Sequence, residues 1–387
     1  MDESPQSLPS SEPELPTTGS MSKRRKIIKR SLTLFVVLLL LMGVRQVWPY
    51  LIEPEPEVLI AEHQITEVAD GLGSPSCLHW MNETWLLVCD RDGRLLALEM
   101  NAEGEFTTQE AILSDLSEPH GVLVWSDSGN GTSRLFISEK GELNAWNIDR
   151  NSTPLQWNLT SHQTLVSGVP TSNHQTNAVM SDGEDGLIWH AGSTCNICDE
   201  EDERNAALLG IDPWSGEVEI LASGVRNSFD GTWVPDVGYV FTDNGRDWEG
   251  DHPPEELNLL SVGSAYGWPD DDPDHPVPEG TLGPISEFES HSSANGIDWR
   301  PLNSTLPGGP TTVYVALYGS WNTVVPVGQQ ILQVDIIADP GSQQGWRGES
   351  TVVVEDLATP LALKFHPYGD LYYAEYAHGT LYRLSTT

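Results

Sequence analysis

The chain has 387 residues, a formal net charge of −38, and high counts of Gly (35), Pro (27) and Trp (14). That composition, without long runs of helix-forming residues, predicts many short strands joined by tight turns. Six of the 19 basic residues fall in residues 23–30 and a seventh is Arg45, so beyond Ile52 the chain holds 12 basic against 53 acidic residues, a balance that excludes nucleic acid as a partner.

Residues 1–30 read as a tail, first acidic and rich in Ser, Pro and Thr, then basic (KRRKIIKR, 23–30). The early part is too polar to offset the entropy of ordering and is expected to be disordered. Residues 31–52 (SLTLFVVLLLLMGVRQVWPYLI) have the length and apolarity of a transmembrane helix, with Trp48 and Tyr50 suited to an interface. The preceding positive charge predicts a single-pass signal anchor with a cytoplasmic N-terminus and an extracytoplasmic body. The rival reading is a cleaved signal beginning near Met21, although no small-x-small pattern follows the apolar stretch. Residues 53–64, opening EPEPEVL, read as a short stalk.

From residue 65 to 387 a loose unit recurs about six times: apolar strand, turn, aromatic-bearing strand, tight turn, last strand. Its clearest copies are WLLVCDRDGRLLALEM, RLFISEKGELNAWNID and DLYYAEYAHGTLYRLS. One such unit cannot cover its own faces, whereas several packed radially can. The expected fold is therefore all-β, a six-bladed propeller preceded by one transmembrane helix. Long loops inside the third, fourth and fifth units are the expected seat of function. Cys77 and Cys89 are placed to pair across adjacent strands. CNIC (195–198) reads as a disulfide or tight turn rather than a metal site, since no second Cys pair stands at zinc spacing. Sequons at Asn82, Asn130, Asn151, Asn158 and Asn303 fit exposed loops.

Three stretches carry the candidate chemistry. In SNHQTNAV, His174 stands where an inner strand begins and is a candidate general base, against the blander reading of a hydrogen-bonded structural histidine. In ASGVRNSFDGTW, Arg226 and Asn227 occupy the equivalent place one unit later, the arginine serving either an anionic ligand or an internal ion pair. TDNGRDWEGDHPPEELNLL is crowded with oxygen donors, including Asp247, Glu255 and Glu256, and suits either Ca²⁺ or plain solvation.

Taken in order, NHQ, DGLIWHAGSTCNICDEED, ASGVRN, TDNGRDWEGDHPPEELN, YGWP and YGSWN resemble the glucose/sorbosone dehydrogenase family, the soluble sugar dehydrogenases dependent on pyrroloquinoline quinone (PQQ), and especially the sorbosone-dehydrogenase-like branch. The resemblance implies a sugar or polyol substrate oxidised outside the membrane, an electron acceptor that the sequence does not name, and two cofactors, PQQ and Ca²⁺. It implies His174 as catalytic base, Arg226, Asn227, Asn244 and Trp321 as cofactor contacts, and metal-binding residues Gly245, Arg246, Asp247, Glu255 and Glu256, of which the backbone carbonyls of Gly245 and Arg246 fall at the cofactor-bound calcium and Glu255 or Glu256, with Tyr266, near a second, structural ion site.

The chain departs from the family where basic residues are expected after SWN and before a proline: these positions are Thr323 and Thr359, and Tyr318 replaces a histidine, leaving Lys364 and Arg300 nearby in sequence. Losing two charge-assisted pairs, worth roughly 1.5–3 kcal/mol each, weakens cofactor binding about a hundredfold or more. Two other readings follow: a catalytically degenerate propeller that binds a glycan or a surface protein, and a calcium-dependent lactone hydrolase.

Overall fold

The structure is a computed structural model, and it describes residues 18–387 apart from Ser128, Asn130, Arg150 and Glu249. The acidic stretch before Thr18 and the sequon at Asn130 therefore lie outside the described residues. The chain divides into two units, 1–48 and 49–387. The first holds most of one helix, Thr18–Leu51, which contains a span of mean hydropathy 2.2 over Lys26–Arg45. The helix begins well ahead of residue 31, so the basic segment 23–30 is helical and not part of an irregular tail.

Among the described residues the second unit is almost entirely β. Its strands form six sheets. Numbered from the first complete sheet, their innermost strands are Pro75–Trp80, Gly121–Ser126, Thr176–Ser181, Ser228–Val234, Ala294–Trp299 and Pro360–Phe365. Each inner strand packs on the next, and the sixth packs on the first, closing a ring around a central channel. The fold is a six-bladed β-propeller.

The second strand of each blade explains the near-continuous apolar runs of the sequence. Trp85–Asp90, Ser133–Glu139, Leu187–Ala191, Thr312–Leu317 and Leu371–Glu375 are buried at every position, because neighbouring blades cover both faces. The core is accordingly six apolar clusters, one between each pair of blades. Trp189, fully buried, also donates its Nε1 hydrogen to Ser138 Oγ of blade two at 2.7 Å. Burying side chains of this size contributes about 1.5–3 kcal/mol each.

Ring closure uses both ends of the unit. His63–Ala69 adds to the outer edge of blade six, antiparallel to Thr380–Thr386, with Ile65 opposite Leu384. Glu57–Val58 pairs with the edge of blade five. Strand pairing thus starts inside the stretch read as a stalk. Cys77 and Cys89 form a cross-strand disulfide in blade one, and Cys195 and Cys198 form a second within a loop of blade three.

Candidate active site at the channel mouth

A repeated carboxylate organises one end of the propeller. In four blades the last residue of the second strand is acidic, and it accepts backbone N–H groups from the loop leading into the same blade's inner strand. Asp90 takes Ser74 at 2.9 Å, Glu139 takes Ser117 at 2.5 Å, and Asp243 takes Arg226 at 2.9 Å and Asn227 at 2.7 Å. Glu375 takes Ala358 at 3.3 Å and also Thr359. Burial raises the Asp243 and Glu375 carboxyls to about 7 against the pull of those N–H groups. Asp243, one of the oxygen donors counted in the sequence, is therefore occupied in fixing Arg226 and Asn227.

The residue after the second strand, the first of the turn, stands at the mouth. Across the six blades it is Arg91, Lys140, Gly192, Asn244, Tyr318 and Tyr376. Five of these line two confluent cavities, an axial one of about 260 Å³ and a lateral one of about 520 Å³, which share Asn173, His174, Asn227 and Ser293. The sixth is glycine for a steric reason. A Cβ on Gly192 would lie 2.7 Å from His174 Cβ and 2.9 Å from Asn227 Oδ1. The long turns that follow, 192–206, 244–254 and 318–329, belong to blades three, four and five as expected.

His174 sits two residues ahead of its inner strand. Its Nδ1 lies 3.0 Å from Ser193 O and 2.8 Å from Ser193 Oγ, and that hydroxyl donates to Cys195 O at 2.8 Å. A carbonyl only accepts, so in the neutral ring Nδ1 carries the hydrogen and Nε2 the lone pair. Burial, reinforced by the nearby Arg226 charge, lowers the imidazole to about 3 and keeps it neutral. Ser193, the partner of the imidazole, is itself tied to the Cys195–Cys198 loop.

Arg226, 4% exposed, spends its fork on protein acceptors: Asn244 O at 3.1 Å, Asn196 Oδ1 at 2.9 Å and Asp247 Oδ2 at 2.9 Å. It joins the CNIC loop of blade three to the acidic loop of blade four. Asp247 also accepts from Asn322 Nδ2 at 2.8 Å. Glu255 accepts Gly245 N at 2.8 Å and Ser293 N at 3.3 Å, and burial raises it to about 7.

His174, Arg226, Asn227, Asn244, Gly245, Asp247, Glu255 and Trp321 thus line one lateral cavity despite their separation in sequence. Arg246 and Glu256 do not line it: Arg246 is buried with its Nε 3.9 Å from Asp271, and Glu256, adjacent to Glu255 on one strand, faces the other side and accepts from Asn258 at 2.9 Å. Tyr266 is buried, donating to Leu259 O at 2.6 Å.

The donor set fits a hard cation and a polar cofactor. Asn244 Nδ2 donates to the carbonyls of Asn227 and Ala294, both at 3.1 Å, which fixes the amide and leaves its buried Oδ1 without a protein donor. Asn322 Oδ1, on the same cavity, is likewise unmatched. Orphaned amide oxygens beside carboxylates are what Ca²⁺ takes.

Neither Lys364 nor Arg300 replaces the cations missing at Thr323 and Thr359. Lys364 lies in the bore of the channel, 2.9 Å from Asp230 Oδ2 and 2.8 Å from Ile297 O, and Arg300 donates to Leu306 O and Ser304 O.

No family model matches the chain. It is 24% identical over 277 residues to an uncharacterized protein of Borreliella burgdorferi, covering 65% of this chain and 71% of that protein. It is 24% identical over 330 residues to the pyrroloquinoline quinone-dependent pyranose dehydrogenase of Coprinopsis cinerea, covering 70% of this chain but only 44% of the fungal protein. The holo PQQ domain of the Coprinopsis enzyme superposes with a TM-score of 0.71 at 19% identity, covering 86% of this chain and 97% of that domain. A calcium structure of a Trichoderma reesei carbohydrate-active enzyme gives 0.72 at 18%, over 87% and 98%. A Thermus thermophilus oxidoreductase (glucose dehydrogenase) gives 0.59 at 16%, over 83% and 99%. These likenesses establish the fold, the propeller on which the fungal PQQ domain is also built.

Proposed function

We propose that the chain is a PQQ- and Ca²⁺-dependent oxidoreductase acting on a hydroxyl of a sugar or polyol. The observation that carries the reading is the meeting of a neutral, oriented His174 with Asn227, Asn244 and Gly245 around one cavity. The fungal enzyme with a similar fold and detectable sequence similarity is a PQQ-dependent pyranose dehydrogenase. His174 Nε2 takes the proton of the substrate hydroxyl, while the hydride on the same carbon leaves to an acceptor and a carbonyl results. When bound, PQQ supplies that two-electron acceptor. Asn227, Asn244 and Trp321 would hold it, and Gly245, Asp247 and Glu255, the metal candidates that line the cavity, would hold the cation. Glu256 faces away and supports the strand instead.

The apolar helix Thr18–Leu51 acts as a single-pass anchor with the N-terminus cytoplasmic and the propeller outside, a placement supported by its basic flank and by two disulfides.

The test is reconstitution with PQQ and Ca²⁺ followed by dye reduction across aldoses. The wild type is expected to turn over and His174→Ala to lose at least about a hundredfold; equal rates remove the base.

A second reading, a propeller that binds a glycan without catalysis, is favoured by one observation: Thr323 and Thr359 bring no charge. Stabilisation by Ca²⁺ with a melting temperature indifferent to excess PQQ would select it.

A further inference from the structure

In a body this poor in cations, the location of the accessible ones is informative. Among the described residues, Arg226, Arg246, Arg300 and Lys364 are buried and spent on protein partners or sealed beneath the surface. Arg91 and Lys140 differ: both are about 40% exposed at the side chain, and both line the axial cavity with His174 and Asn227. They occupy the same turn position in blades one and two, each directly after the carboxylate that fixes its blade's inner loop.

The two share a single counter-ion. Glu118 Oε2 lies 2.6 Å from Arg91 Nη2, and Glu118 Oε1 lies 2.7 Å from Lys140 Nζ. Two cations share one carboxylate, so this trio carries one net positive charge in a strongly negative protein. The neighbouring position in blade six adds a donor. Tyr376 OH accepts from Arg91 Nη1 at 3.2 Å, which leaves its own hydrogen to give, and Tyr318 of blade five lines the same cavity. Guanidinium, ammonium and phenol converging on a cavity that contains a general base make a carboxylate-recognition site.

We propose that Arg91 and Lys140 form the anion clamp of this mouth and take carboxylates of PQQ, a tricarboxylate, supplying from blades one and two the charge that Thr323 and Thr359 do not supply. The proposal rests on the quinone reading. Glu118 then acts as an internal competitor for the clamp, so its removal has the opposite effect to removal of the cations.

The experiment is equilibrium titration of the calcium-loaded, quinone-free protein with PQQ, read by quenching of tryptophan fluorescence, with melting temperature measured for every variant. Arg91→Gln and Lys140→Gln are each expected to raise Kd about tenfold or more, and Glu118→Gln to lower it several-fold. Arg91→Lys and Lys140→Arg, which keep the charge if a glutamine variant does not fold, are expected to stay within about threefold of wild type. Added NaCl should weaken wild-type binding more steeply than that of the double glutamine variant. If wild type binds PQQ while the charge-removing variants stay within twofold of it, or if Glu118→Gln weakens binding, the clamp is overturned and the quinone reading stands. Absence of PQQ binding by wild type overturns both.

Discussion

His174 and Ser193, nineteen residues apart, are locked together at the channel mouth: the imidazole Nδ1 sits 3.0 Å from the serine carbonyl and 2.8 Å from its hydroxyl. The pairing fixes both the tautomer and the ring plane. Ser193→Ala keeps the carbonyl but cuts the link through Oγ to Cys195. We expect kcat to fall about tenfold, the scale of one net hydrogen bond, with PQQ affinity unchanged. Because the imidazole is held down to about 3, kcat/KM should show no limb near pH 6.5 from this group. Steady-state kinetics between pH 5 and 8 checks both points.

Gly192 is required by crowding and not by its backbone angles. Gly192→Ala would press a methyl against His174 Cβ, Asn227 Oδ1 and Gln175 O, all within 2.9 Å. Overpacking of this kind costs about 1–3 kcal/mol. The expected outcome is a lower denaturation midpoint together with loss of turnover, since the base and its neighbour move together. An active, fully stable variant would show that the two need not be so close.

Lys364 joins blade six to Asp230 of blade four in the bore. Burial alone would lower its pKa, but the charges of Asp230 and Asp298 outweigh that and raise it. Lys364→Met strands two buried carboxylates, so unfolding free energy in denaturant should fall by about 3–5 kcal/mol. Asp230→Asn in the same chain should recover part of the loss.

His190 is fully buried between Ser228 Oγ at 2.8 Å and Tyr239 OH at 2.7 Å, and burial lowers it to about 3. Its ordinary value is 6.5, so below that pH the unfolded chain takes up a proton that the folded one refuses. Its stabilising contribution is complete above pH 6.5 and fades on acidification towards 3. His190→Gln should therefore be most destabilising at pH 7 and above. The gap to wild type should narrow by up to about 1.4 kcal/mol per pH unit between pH 6 and 4, as denaturant titrations at each pH would show.

Much of this arrangement was readable along the chain. The apolar second strands announce six blades because each is sandwiched between neighbours, the long turn of blade four holds Asn244, and His174 and Arg226 stand just ahead of the inner strands of blades three and four. Arg91 and Lys140 give no such signal in the sequence, because they stand in two tight turns, DRDG and EKG, which look like ordinary hairpins. Their meaning emerges only when blades are superposed, with an acid and then a mouth residue in each. That register, Asp90-Arg91, Glu139-Lys140, Asp243-Asn244 and Glu375-Tyr376, is visible in the sequence once strand ends are known. Ser193 was hidden for another reason: its contact with His174 depends on the path of a loop that no periodicity encodes.

The pairing of His63–Ala69 with Thr380–Thr386 has a consequence for biogenesis. The first long β-segment of this body to be synthesised must wait, without its partner, until the last has been made. Any product stopped short of residue 380 would leave that early segment unmated and the neighbouring blades with bare flanks. Quality control therefore has one late checkpoint, the arrival of the final hairpin, and chaperone dependence should persist up to that moment.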